Sequence, residues 1–161
     1  MGLAISVLVI VLLMGSIFWV MPSAAQKRVM NLRQNALSMG LRPSVQRITR
    51  IREPGESEVL PQSLLLYSKL RQQTCQRMTW QLERREGFDP VTGVNGWFWK
   101  DKPAELAEKD ETHLREILSQ VPASVDLVLV SSMGVSLHWN EKNPELLSEI
   151  NRLAESILAK L

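Results

Sequence analysis

The chain has 161 residues, with 19 Lys and Arg against 17 Asp and Glu, a formal net charge of +2, one Cys, five Trp and 45% hydrophobic residues. That length fits one small folded domain plus an appendage. Ordinary Gly and Pro numbers, near absence of Cys and normal apolar content exclude a collagen-like, disulfide-stapled or wholly disordered chain.

The first 22 residues carry no charged side chain. Leu3 to Met21 is an uncharged run that as a helix spans roughly 28 Å, close to a hydrocarbon core of about 30 Å. It predicts one N-terminal transmembrane helix over residues 1–22, with Trp19 near a headgroup layer. The rival reading is a cleaved signal peptide, since Ser23, Ala24 and Ala25 form a small-residue cleavage site. Against it stand the missing Lys or Arg before the run, the length of the run and the basic residues after Pro22.

From Ser23 to Arg52 there are seven basic residues and no acidic one, whereas Glu53 to Leu161 holds 12 basic and 17 acidic ones. A near-neutral total therefore conceals a dipolar chain. Basic residues beside a membrane span stay on the cytoplasmic side, which predicts the N-terminus outside and the C-terminal domain cytoplasmic. The single Cys75 agrees with a reducing compartment.

Residues 23–43 predict a basic amphipathic juxtamembrane helix. Ala25, Val29, Leu32, Ala36 and Met39 form its stripe, and Gly40 sits where a helix commonly stops. Lys27, Arg28 and Arg33 flank the stripe as candidate membrane-surface residues, with membrane lipid as the partner. The alternative is a topology signal followed by a helix packed on its own domain. Nucleic acid is not expected as a partner, because the collar lacks interleaved aromatics.

Residues 44–161 predict an α+β domain, a small mostly antiparallel sheet with two or three amphipathic helices counted over the chain. Strands are expected over Ser44–Ile51, Leu64–Leu70, Met78–Arg84 and from Gly96 through Trp99, the third with Met78, Trp80 and Leu82 alternating against Thr79, Gln81 and Glu83. A helix starting at Asp101 and Pro103 carries Ala107, Leu114, Ile117, Leu118 and Val121, with Glu111 and Arg115 paired on its wet side. Val125–Ser131 and Val135–Trp139 read as a hairpin around Ser132, Met133 and Gly134. Asn143 and Pro144 then open a last helix with a stripe of Leu146, Ile150, Leu153, Ile157 and Leu161.

No catalytic or metal-ligand spacing is present. His113, His138 and Cys75 stand apart from any HExxH or CxxC pattern, and no phosphate-cradling or nucleophile-elbow motif occurs. The expectation is no enzyme, no cofactor and no metal. Trp97, Phe98 and Trp99 are the candidate interaction residues, since Trp is enriched at interface hot spots; core packing is the other reading of the same rings.

Phe18-Trp19-Val20-Met21-Pro22 leading to Gln26-Lys27-Arg28 resembles the anchor and basic exit of the YajC family of bacterial translocase accessory subunits, over about the first 35 residues. The Gly-Asp and Gly-Gly turn pattern of that family is missing after Leu41. The remainder, with GWFWK and VSLHW, resembles uncharacterised single-pass bacterial inner-membrane proteins, which implies the inner (cytoplasmic) membrane as the location.

The combined expectation is a non-catalytic membrane-anchored accessory or scaffold subunit docking on a larger integral membrane protein complex. A second class is a membrane-tethered ligand-sensing module built around the Gly87–Gly96 loop and Trp97, and a third is a tethered enzyme using Cys75.

Overall fold

The computed structural model describes residues 2–3, 5–7, 9–10, 23–52, 57–72, 79–85, 96–100 and 108–160. The chain forms two compact units, Met1–Leu32 and Arg33–Leu161. The first long helix, α1 (Ala24–Ser38), begins with a capping box: the Ser23 amide donates to Gln26 Oε1 at 2.8 Å and the Gln26 amide to Ser23 Oγ at 3.2 Å. Those bonds occupy backbone donors that a helix start leaves without intrahelical partners. Leu32 and Ala36 are its buried residues, whereas Ala25 and Met39 of the expected stripe are exposed. The helix stops at Gly40, whose φ of +79° suits a residue without a Cβ.

The expected transmembrane helix is corrected here. Among the described residues no helix is long and apolar enough to cross a membrane. The longest, α1, has 15 residues and carries Lys27, Arg28 and Arg33, so it is about 22 Å long and charged along its length. Residues 2–3, 5–7 and 9–10 are helical, and residues 11–22, most of the expected anchor, lie outside the described residues. The described residues thus form an α+β arrangement in which no helix is long and apolar enough to cross a membrane, and the inner-membrane, single-pass location drawn from that helix is not supported.

A six-stranded sheet organises the second unit. Its strands are β1 (Leu41–Ile48), β2 (Gln62–Leu70), β3 (Trp80–Arg84), β4 (Trp97–Trp99), β5 (Val125–Ser131) and β6 (Gly134–Trp139). They lie in the order β1-β2-β6-β5-β3-β4, every neighbouring pair antiparallel. The β5–β6 hairpin is central, with Ser132 and Met133 as its turn; β1 and β4 are the edges.

Side chains alternate across a strand, so the register assigns each to a face. Tyr67, Trp80, Leu82, Trp97, Val128, Val130, Leu137 and Trp139 share one face. Helix α3 (Leu147–Lys160) packs on β6 and β2 and against α2 (Glu108–Ser119). It buries Leu147, Ile150, Leu153, Ala154 and Ile157, at about 1.5–3 kcal/mol for each large apolar side chain removed from water. The stripe expected at Ile150, Leu153 and Ile157 is therefore in place. Its start differs: Asn143 is extended and makes no side-chain cap bond, and a 3₁₀ turn over Pro144–Leu146 leads into the helix.

The second face has its own apolar cluster of Ile48, Leu66 and Leu127, flanked by Leu64 and Leu129. On this side the covering layer is the chain itself. Residues 49–51, leaving β1, are bonded to side chains of β3 and to Lys100 just after β4.

Gly134 opens β6 where a Cβ would stand 2.1 Å from the Lys69 carbonyl oxygen. Backbone on backbone cannot yield cheaply there, so Gly134→Ala is expected to lower the unfolding free energy by about 2 kcal/mol or more, read as a shift of the urea midpoint at unchanged slope.

Candidate functional site

The aromatic residues singled out in the sequence do not form an open patch. Trp97 is 1% exposed and Phe98 8%, on opposite faces, while Trp99 is half-buried. The Arg84 guanidinium lies 4.8 Å over the Trp97 ring and donates to the Val121 and Pro122 carbonyl oxygens, both at 2.9 Å. Trp80 meets Trp99 edge-on with centroids 5.3 Å apart. Of their two readings, core packing fits these positions. Lys27 and Arg28 are exposed on α1, and Arg33 is bound to a carboxylate. Cys75 and residues 87–95 of the expected ligand loop lie outside the described residues.

Polar chemistry gathers instead on the sheet face opposite α3. Glu83 is fully buried, and both its carboxylate oxygens accept the Ile51 amide at 3.1 Å. Gln81 Nε2 donates to Glu83 at 2.6 Å and to the Thr49 carbonyl at 3.2 Å. Arg85 reaches Glu83 at 3.3 Å and also donates to the Ile51 carbonyl, while Lys100 Nζ donates to the Thr49 carbonyl. These bonds clip residues 49–51 across the sheet. A buried carboxylate is tolerable only with such a set of donors.

A second knot lies beside the first. The β5–β6 register shifts between Val125 and Leu127, and the extra residue, Asp126, meets His138. Asp126 accepts from Arg50 at 2.8 Å through one oxygen and pairs with His138 Nδ1 through the other. An ionised carboxylate only accepts, so His138 is the donor. Burial pushes the Asp126 carboxyl up, but the bonds from His138 and Arg50 outweigh it and hold the carboxyl below its ordinary 3.8.

A carboxylate that orients a histidine is half of a nucleophile-activating set. The other half is not assembled on the neighbouring hydroxyls: Ser136, on the same face, has its hydroxyl paired with Ser68 at 2.8 Å. Among the described residues no group of three His, Cys, Asp or Glu is placed to hold a metal ion. What the arrangement does is tie the segment after β1 to β3, β5 and β6.

A third knot lies on the helix-covered side. Arg33 makes a two-pronged bond to Glu141, at 3.0 and 2.9 Å, and Tyr67 donates its hydroxyl to the same carboxylate. Glu141 has φ +51°, uncommon for a residue with a side chain. Burial opposes its charge, yet the bonds from Arg33 and Tyr67 hold it below its ordinary 4.5; Tyr67, buried beside that carboxylate, is pushed above its ordinary value.

Comparison with family models, with curated proteins and with solved structures gives no match.

Two of the depressed carboxyls, the partly buried Asp126 and Glu141, set an acid limit. Each contributes stability that is fully present above its unfolded value and is lost as pH falls through the lower folded one, so unfolding by acid is expected to begin near pH 4 and continue below it. Asp126→Asn should flatten that dependence and cost about 1 kcal/mol at neutral pH, a modest figure because the side chain is one-third open to solvent. Urea titrations of both proteins from pH 3 to 7 check this.

Proposed function

We propose that this chain is a non-catalytic accessory module that works by docking on another protein. The observation that supports this reading is the open edge of β1. This strand is eight residues long, among the described residues it pairs on one side only, with β2, and its Arg42, Val45 and Arg47 are exposed. The opposite edge, β4, has three residues. Long unpaired edges are hazards that folded proteins shorten, charge or cover, and they are also the place where a partner adds a strand.

The ionisable groups of the sheet interior point the same way. Glu83, Asp126 and His138 are all engaged in holding the chain to its own sheet. Docking therefore rests on backbone donors and acceptors at the edge, with neighbouring side chains selecting the partner.

Gentle purification of the full chain through a C-terminal tag, followed by native mass measurement, tests the reading. A second protein at fixed stoichiometry is expected. A solitary monomer or a homodimer overturns it.

A further inference from the structure

We propose that the occupant of the β1 edge is an acidic extended segment of another protein, added antiparallel as a seventh strand and selected by Arg42, Val45 and Arg47. This rests on the docking reading above and names the chemistry of its partner.

Pro43 indicates which backbone groups are open. It has no N–H, and proline is tolerated in a strand where that missing donor faces away from the neighbour. Both polar groups of one residue in an antiparallel strand point to the same side, and the side alternates along the chain. On that parity Leu41, Pro43, Val45 and Arg47 turn outward, leaving the amides and carbonyls of Val45 and Arg47 for an added strand. The residues between them face β2, with which they are in register.

Charge identifies the occupant. Arg42 and Arg47 are exposed and make no ion pair among the described residues. The register sets them on opposite faces of the strand, so each flanks the edge from a different side. The stretch from Ser23 to Arg52 that contains β1 has seven basic residues and no acidic one. A second copy of this chain is a poor occupant: pairing β1 with itself antiparallel crowds four arginines along one short ladder. Like charges across a ladder destabilise it, and opposite charges stabilise it.

The spacing sets a pattern. Read from its own N-terminus, an antiparallel strand meets Arg47 first, Val45 two residues later and Arg42 three residues after that. The fitting sequence is therefore acidic, any, apolar, any, any, acidic.

The test uses the full chain and three synthetic eight-residue peptides of Thr, with Val at the fourth position and Glu, Lys or Gln at both the second and seventh. Anisotropy gives affinity, and amide hydrogen exchange gives location. The Glu peptide is expected to bind about tenfold more tightly than the Lys peptide, with Gln between them, and to slow exchange at Val45 and Arg47. The double variant Arg42→Glu, Arg47→Glu should reverse the order. Val45→Pro, which removes an outward donor and leaves the ladder to β2 intact, should abolish binding with an unchanged circular dichroism spectrum.

Equal binding of the three peptides, or exchange unchanged at β1, overturns the proposal. So does a concentration-dependent dimer that Val45→Pro dissolves, which would make the occupant a second copy. If the peptides fail while a stoichiometric partner still accompanies the purified chain, the acidic-strand assignment falls and the docking reading stands.

Discussion

A carboxylate with no access to water stays in place only where donors surround it, and the donors around Glu83 include the backbone of Ile51. This contact ties together two parts of the chain more than thirty residues apart. Gln81, Arg85 and Lys100 close around the same segment through the carbonyls of Thr49 and Ile51. The chain leaving β1 is thereby drawn over β3, and the sheet has cover on the side opposite α3. Breaking the Glu83 set would strand a buried carboxyl and uncover that side together, so the polar ties and the cluster of Ile48, Leu66 and Leu127 stand as one unit.

The two faces of the sheet are held by different physics. On the helix side the holding force is burial, through Ile150, Leu153 and Ile157 of α3, which packs on β6 and β2. On the other side the cluster of Ile48, Leu66 and Leu127 is joined by hydrogen bonds and ion pairs. The helix side carries depressed carboxyls at Glu141 and, on α3, at Glu155 beside Lys69, while the other side carries Asp126 and its arginine and histidine partners. Hydrophobic attraction can cover a face without fixing direction, whereas bonds from Glu83 and Gln81 to named backbone atoms fix the path of the segment they hold.

Much of the sheet domain was legible from local signals. Gly40 ended α1, the alternation around Trp80 and Leu82 marked β3, the turn at Ser132 and Met133 joined β5 to β6, and Glu111 and Arg115 pair at 3.0 Å as their spacing implied. Each of these depends on residues within a few positions of one another. Gln81 and Glu83 are the polar half of the alternation in β3 and yet are buried, because what covers them arrives from residues 49–51 and leaves no periodic trace in β3 itself. Trp97 and Phe98 were open to either reading, since a three-residue strand carries no indication of what lies above or below it. Asp126 was unreadable for another reason: it faces His138 only because of an irregularity in the ladder, which alternation cannot anticipate. The membrane-crossing helix is an expectation from an uncharged apolar run, most of which lies outside the described residues.

Glu141 carries a backbone conformation that costs a residue with a Cβ on the order of 1 kcal/mol, and its carboxylate is held by a helix residue, Arg33, and a strand residue, Tyr67. The loop after β6 is therefore held like a drawn latch: its shape is maintained from outside the loop. Were Arg33 to be drawn away, the local backbone would gain by relaxing, and Tyr67 would lose its acceptor in the same motion. One carboxylate thus joins Arg33, Tyr67 and the turn after β6, three places far apart in the chain.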